Sequence, residues 1–577
     1  MSVARTIAVV VAVVVLVHLF VRTRVGASTS VGVLWSKGPY AHRGCAYATS
    51  ETESLSDSAA IRAYMAQCTG VLWVRTGTHG AAETTDLDTV AESLGVLRRP
   101  VVLVTSDGDR AVPSSLRERT VRLLLESAKV TRWLTQNYDG SLRHNKLRPI
   151  PIGLDLHTTQ WQLGSHEAKI AHITSQNAAA HRRKQAVLCD AHLTRSHPDR
   201  ARMYEAAKGS ASITMLNEKR PFADLMRLYG QYQFVLSPRG NGIDCHRTWE
   251  ALLAGCIVIT VTSSLDRMFA EHGFAIVVLR DWGELDEELP RKLHVWRARL
   301  APLTSLAVVW PKMQFAYWLS DALLVGGTAR DCAPFLPSVL ARLDSLAQNR
   351  RVYYVFYESN SADATLSILQ KFVSERSGVV YTERTEGTRT ERIARGRNVV
   401  IAQVERVASS FDFFVNLDLD NVTENLDVES VRLCLSRADE WDIATASQTQ
   451  DYYDHWALRT VDFGDSHGGE PYCIKHSHIV APPDAKCSSR TLADWFPHKT
   501  ELRGKRAFAA DGPYYEVLSA FGGLAIYKTS LLRGARYSGT KETGDVPECE
   551  HVPFHAAIRA KFPRVRIVIA PYMITGA

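Results

Sequence analysis

A chain of 577 residues is too long for a single hydrophobic core, and at roughly 100 to 200 residues per domain it predicts about three or four lobes. With 46% hydrophobic and 22% charged residues it has a globular composition, which excludes disorder over most of its length. The net charge of +7 is spread along the chain in short clusters such as Arg182, Arg183 and Lys184, a pattern that favours small anionic ligands and predicts no nucleic-acid partner.

Residues 7–21 read IAVVVAVVVLVHLFV, apolar apart from His18, with Arg5 on one side and Arg22 and Arg24 on the other. As a helix this run spans about 22 Å, short against roughly 30 Å of hydrocarbon, which suits a thin early-secretory or Golgi-like membrane with arginines snorkelling at its ends. The expectation is a short tail (1–6), a signal-anchor (7–21) and a stem (22–32), in a type II protein facing the ER or Golgi lumen. The alternative is a signal peptide cleaved near Ala27 and a secreted product. Flanking charge does not set the orientation, because Arg5 plus the amino terminus balances Arg22 plus Arg24. The ten cysteines include no Cys-x-x-Cys pair, which excludes a zinc ribbon and a thioredoxin-like site. Several of them suit pairing in an oxidising lumen, Cys473 with Cys487 as a local bridge, and free buried thiols fit equally.

From 33 to 325, short β-rich runs alternate with helical ones: VLWV, PVVLVT at 100–105, QFVLSP at 233–238 and CIVITV at 256–261. That is α/β wiring. Residues 234–260, FVLSPRGNGIDCHRTWEALLAGCIVIT, read as strand, glycine-bearing loop, helix from about Asp244 to Leu253, and second strand. The helix start suits a diphosphate, with Arg239 and Arg247 as counter-charges, Gly240 and Gly242 shaping the loop, and Glu250 in reach of a ribose hydroxyl. The bland alternative is a turn and a solvated helix residue. The stretch resembles the exostosin-type glycosyltransferase signature, with a Ser-Pro-x-Gly loop before Arg-x-Trp-Glu-Ala and Gly-Cys. Residues 103–115 and 133–159 resemble exostosin-like proteins of algal and large-virus type. This resemblance implies a GT-B architecture of two Rossmann-like lobes (about 33–165 and 166–325), usually without a metal. Arg239, Gly240, Arg247 and Glu250 then become donor-site residues, and Asp109, Asn137 and Asp155 line the opposite lobe. The chain departs from the pattern with Ile257 and Val258 where a proline commonly sits.

Val325, Gly326 and Gly327 read as a break in the chain, after which a second module occupies 330–577. RVYYVFYESNSADATLSILQKF, 351–372, predicts a strand, a polar tip with Glu358, Ser361 and Asp363 that suits a base or ribose, and a helix. RTERIARGRNVVIAQV, 389–404, predicts a helix placing Arg389, Arg392, Arg395 and Arg397 on one side, toward phosphates or as a solvated basic face. FDFFVNLDLDNV, 411–422, then reads as a buried strand ending in Asp418 and Asp420. A carboxylate pair at a strand end can hold a divalent cation against a diphosphate, which is what a nucleotide-sugar transferase requires; the bland alternative is an ordinary loop pair. The sequon Asn421 to Thr423 adjoins this pair, a poor place for a glycan.

This succession resembles the GT-A family of fungal capsule-associated α-1,3-mannosyltransferases and their algal and viral relatives, with further matches at DYYDHWALR (451–459), FGGLAIYK (521–528) and ECEHVPFH (548–555). The resemblance implies Mn²⁺ or Mg²⁺ held by Asp418, Asp420 and His551. Glu358, Asp363, Arg392, Arg397 and Asp418 would serve the donor, Glu550 and Asp454 the catalytic step, and Trp456 a sugar face. The whole reads as a membrane-anchored bifunctional glycosyltransferase taking nucleotide sugars to a glycan acceptor on protein, lipid or polysaccharide. Two rivals remain open. DLDNV also fits a haloacid-dehalogenase-type phosphatase, with Gly544-Asp545 as its distal acid motif, and one half fits a non-catalytic carbohydrate-binding or scaffold module.

Overall fold

The computed structural model describes residues 32–38, 58–68, 70–77, 86–157, 163–177, 183–191, 197–348, 350–448, 454, 456–460, 512–540 and 547–575. The apolar segment 7–21, Cys473, Cys487, Gly544-Asp545 and several residues of the 451–459 motif lie outside them. Among the described residues no helix is long and apolar enough to cross a membrane. Cys68 is disulfide-bonded, whereas Cys189, Cys245, Cys256, Cys332, Cys434 and Cys549 are free thiols. The chain divides into two compact units, Met1–Leu319 and Ser320–Ala577.

The first unit carries two parallel sheets. Strands β1 (Gly70–Gly77), β2 (Val101–Gly108), β3 (Val130–Thr135) and β4 (Leu147–Pro149) lie side by side in chain order. Strands β5 (Lys184–Cys189), β6 (Ile213–Met215), β7 (Tyr232–Leu236), β8 (Ile257–Val261) and β9 (Ile276–Leu279) form the second sheet in the order β6-β5-β7-β8-β9. Parallel strands covered on both faces need no polar alternation. Accordingly Phe234, Val235 and Leu236 of β7 and Ile257, Val258 and Ile259 of β8 are all buried. One continuous core, including Trp73, Trp133 and Trp249, runs through both sheets. The helix expected from about Asp244 begins at His246 and ends at Leu253, with Cys245 in extended backbone before it.

The second unit is built on one mixed, Rossmann-like sheet. Its strands are β10 (Leu323–Ala329), β11 (Val352–Glu358), β12 (Gly378–Thr382), β13 (Phe413–Leu417), β14 (Ile443–Gln448), β15 (Arg459–Thr460), β16 (Tyr515–Ser519), β17 (Leu524–Lys528) and β18 (Ile567–Thr575). They run in the order β12-β11-β10-β13-β17-β14-β18-β16-β15. The first four are parallel to one another, and β17 inserts antiparallel between β13 and β14. Side chains alternate across β13: Phe413, Val415 and Leu417 enter one core, while Phe414 enters the other with Val400, Ile401 and Val404 of the helix Arg389–Val407. Burying a side chain like Phe414 completely contributes roughly 1.5–3 kcal/mol. The same alternation turns Asn416 and then Asp418 toward that helix.

Val325, Gly326 and Gly327 do not break the chain; they lie inside β10, between β11 and β13. A Cβ on Gly327 would collide with the carbonyl oxygen of Leu417, so the glycine serves a close strand approach instead of a linker.

Candidate functional sites

In the second unit Asp418, the first of the two carboxylates that leave β13, is bound by a buried arginine. Arg397 is buried, and its guanidinium donates from Nη2 to Asp418 Oδ1 at 2.9 Å, from Nε to Glu550 Oε1 at 3.0 Å and from Nη1 to Asn416 Oδ1 at 3.2 Å. Its flat face lies 4.7 Å from the Phe521 ring centroid. The sequence allows this because Gly396 packs on Tyr357: a Cβ there would stand 2.5 Å from Tyr357 Cδ1, so glycine lets the helix settle onto the sheet and deliver the next residue inward. Burial alone works against the Arg397 charge, yet the Asp418 and Glu550 carboxylates hold it firmly protonated.

Burial pushes the Asp418 carboxyl up to about 7; Arg397 pulls it back, while Asp420, Glu550 and Asp454 add to the rise. A quarter of its side chain remains exposed, and direct contact with the guanidinium favours the anion. Asp454 Oδ2 accepts from the backbone N–H of Gly522 at 3.1 Å. Burial, with Glu550 nearby, lifts that carboxyl to about 6. Asp420 is half-buried and accepts from Val422 N–H at 3.0 Å, which shapes the turn after the strand. Among the described residues, Asp420, Asp454 and Glu550 thus add their negative charge to that of Asp418, and the guanidinium of Arg397 offsets it.

Several expected residues stand elsewhere. His551 does not join the aspartate pair: among the described residues, the group bringing three ligand atoms within 4.8 Å of one another is Asp155, His157 and His246 in the first unit. The His551 ring stacks on Phe521 with centroids 3.8 Å apart, and its Nε2 lies 3.5 Å from Glu550 Oε1. Burial holds it neutral, well below the usual histidine range. Glu550 is buried and holds Arg397 through Oε1. Glu358 Oε1 accepts from Ser361 N–H at 2.8 Å and its Oε2 from the Thr382 hydroxyl at 2.7 Å, so it ties the tip of β11 to β12. Asp363 accepts from Thr365 N–H at 2.9 Å and Ala333 N–H at 3.0 Å, joining the start of the helix Thr365–Ser374 to the loop that follows β10. Arg392 donates to the Gly387 carbonyl at 3.1 Å, and Arg395 pairs with Glu383 on the surface. Of the four arginines expected to share a face, Arg397 is the one that enters the carboxylate cluster, because the helix rotates the others outward. Trp456 is 40% exposed, an open aromatic face.

In the first unit, the loops leaving the C-terminal ends of β3 and β7 meet. Asn137, in left-handed backbone (φ 52°), accepts from Asp244 N–H at 3.0 Å and donates to the Gly108 carbonyl at 2.8 Å. Its amide thus fastens the two sheets together. Gly242 packs directly on it: a Cβ would stand 2.7 Å from Asn137 Oδ1. Arg247 is not a free counter-charge, since its Nε donates to Asp190 Oδ1 at 2.7 Å in a buried pair that also receives the Tyr229 hydroxyl at 3.2 Å. Arg239 is half-buried beside Gly240, and its backbone carbonyl accepts from Arg200 Nε at 3.1 Å. Glu250 is buried, and desolvation raises its carboxyl to about 8 against the pull of Lys169. Asp109 lies half-buried just past β2. Asp190, Lys169, Arg200, His157 and His246 are absent from the sequence reading; the His246-x-x-x-Glu250 spacing, one helical turn, was the signal that could have found His246.

Comparison with known proteins gives no match to any family model or curated protein. Among solved structures, the chain is similar to the S. aureus TarS 1–349 structure in complex with UDP-GlcNAc (14% identity, 44% of this chain and 58% of that one, TM-score 0.26). It is similar to the mannosyltransferase PcManGT from Pyrobaculum calidifontis in complex with GDP-Man and Mn²⁺ (12%, 44% and 56%, 0.26). It is similar, too, to M. tuberculosis glucosyl-3-phosphoglycerate synthase (10%, 45% and 72%, 0.24). The chain thus spans less than two thirds of the TarS and PcManGT chains. At these TM-scores the likenesses are too slight to carry a functional argument.

Proposed function

We propose that the chain is a glycosyltransferase taking nucleotide-sugar donors to a glycan acceptor, with a cation-dependent GT-A site in its second unit and an exostosin-like GT-B site in its first. The observation that carries the reading is the Asp418–Asp420 pair emerging from the C-terminal end of β13, where, among the described residues, the charges of Asp420, Asp454 and Glu550 add to that of Asp418 and Arg397 offsets them. That surplus of negative charge, on half-exposed hard oxygen donors, suits Mn²⁺ or Mg²⁺, which need only one or two protein carboxylates beside substrate phosphates. Asp418 and Asp420 would hold the ion, whose chemistry is to neutralise the departing nucleoside diphosphate. Arg397 positions Asp418, and Glu550 positions Arg397. Asp454, which accepts from the Gly522 N–H, would accept a proton from an acceptor hydroxyl. In the first unit Glu250 and Arg239 take the donor, with Arg200 alongside.

A haloacid-dehalogenase-type phosphatase closes its first strand with the nucleophile, whereas β10, β11 and β12 precede β13 here. A mere scaffold has no need of an unbalanced carboxylate cluster. Mannose as the second unit's sugar, anchoring through residues 7–21 and a lumenal location belong to the same proposal, and the disulfide at Cys68 supports an oxidising compartment.

The test is hydrolysis and transfer from a panel of nucleotide sugars, with and without Mn²⁺. Asp420→Asn lowers the Mn²⁺-dependent rate by about a hundredfold or more and spares the Mn²⁺-independent one. An unchanged Mn²⁺-dependent rate rejects the assignment, and hydrolysis of a simple phosphate ester abolished by Asp418→Asn establishes the phosphatase instead.

A further inference from the structure

The crossover from the first sheet to the second, residues 150–157, passes directly beside the start of the helix His246–Leu253. There Asp155, His157 and His246 each offer a ligand atom, and all three atoms lie within 4.8 Å of one another. We propose that these three residues form a binding site for a divalent cation of zinc-like chemistry in the first unit, separate from the aspartate pair of the second. The idea does not depend on sugar transfer, and a GT-B reading by itself implies no such ion.

Two imidazoles and one carboxylate make a borderline-soft donor set, matched to Zn²⁺ better than to Mg²⁺ or Ca²⁺, which prefer all-oxygen shells. The spacing fits as well. Bonds of about 2.0–2.1 Å in a tetrahedron put neighbouring ligand atoms roughly 3.3 Å apart, and His157 Nδ1 already stands 3.3 Å from Asp155 Oδ1.

The third ligand is held in the tautomer that coordination needs. His246 Nδ1 lies 2.8 Å from the Gly153 carbonyl oxygen. A carbonyl only accepts, so Nδ1 carries the proton and Nε2 keeps its lone pair for a metal. A backbone carbonyl behind a coordinating imidazole is the usual way in which a protein orients such a ligand. That carbonyl is itself locked in place, because Gly153 has φ +71° and a Cβ there would strike the Leu34 carbonyl oxygen.

The site is also reachable, since His157 is exposed while Asp155 and His246 are half-buried. Three protein ligands leave one position for water or a phosphate oxygen. An ion here would join the inter-sheet crossover to the helix that follows β7, adding a fastening beside the Asn137–Asp244 hydrogen bond.

The experiment is calorimetric titration of Zn²⁺ into the chelator-treated full chain, with Co²⁺ absorption as a reporter of coordination, in the absence of any nucleotide sugar. The expected result is one tight site whose affinity falls at least tenfold in His157→Ala and in Asp155→Asn. His144→Ala, an exposed histidine outside the group, and Asp420→Asn both keep wild-type affinity. His157→Ala changes an exposed side chain, so it tests the site without endangering the fold, and Asp155→Asn keeps the shape of the residue it replaces. No binding by the wild-type chain overturns the proposal, as does equal affinity in wild type, His157→Ala and Asp155→Asn, or a loss confined to Asp420→Asn. Failure of donor hydrolysis with Zn²⁺ binding intact would overturn the transferase reading and leave this one standing.

Discussion

Each unit sets an arginine against an aspartate just past the end of a strand, yet the two pairs have different surroundings. Arg247 meets Asp190, whose second oxygen receives the Tyr229 hydroxyl. Arg397 meets Asp418, Asn416 and Glu550 together, with Asp420 and Asp454 adding negative charge nearby. The first contact is one to one, with Arg200 nearby, and serves as a strut. The second is an unbalanced hub among the described residues, and the imbalance is what the proposed cation site rests on.

The comparison can be broken by removing the cations. Arg397→Met and Arg247→Met each leave a buried carboxylate uncompensated, a loss of about 3–5 kcal/mol, read as faster amide hydrogen exchange in β13 and β7 respectively. Pairing each with a change at its partner, Asp418→Leu or Asp190→Leu, sharpens the contrast. The double change in the first unit returns to within about 1 kcal/mol of wild type, since the whole pair is replaced by apolar contacts. In the second unit Glu550 stays unpaired and recovery is incomplete. Equal recovery in both units would show that the hub is only a second strut.

A pH effect comes next in size. His555, buried between the Ser519 hydroxyl at 3.0 Å and the Tyr527 hydroxyl at 3.0 Å, has its pKa lowered to about 3 by desolvation. With the folded value below the unfolded one near 6.5, the unfolded chain binds the extra proton. Stability from this residue is complete above about pH 6.5 and falls as pH drops toward 3, by on the order of 4 kcal/mol. His555→Gln should flatten that acid-side fall in a denaturation series, and an unchanged slope would refute the account. Smallest of all is Arg395→Ala: its partner Glu383 is solvent-facing, and the urea midpoint should not move.

The α/β class and the strand runs were legible because apolar residues that fill parallel sheets appear as uninterrupted stretches. Asp418 and Asp420 at a strand end were legible for the same reason, since the apolar run before them has a sharp end. The hydrogen-bond partners of Glu358 and Asp363 were not, because the local sequence does not say which groups of neighbouring loops and strands a carboxylate will meet. The glycines at 326 and 327 misled similarly: the demand for a side chain of no size came from Val355 and Leu417, which are remote in the chain.

By itself the sequence determined where strands form, which of their faces are buried, and that two acidic side chains leave the end of β13, because hydrophobic run length and period-two alternation are local properties. Only the tertiary structure decided that Arg397, among its neighbouring arginines, meets those acids, that Arg247 is spent on Asp190, and that His246 comes beside Asp155 and His157. Such encounters join elements far apart in the chain, and they depend on helix rotation, strand register and close approach at Gly153 and Gly396, none of which a local pattern encodes.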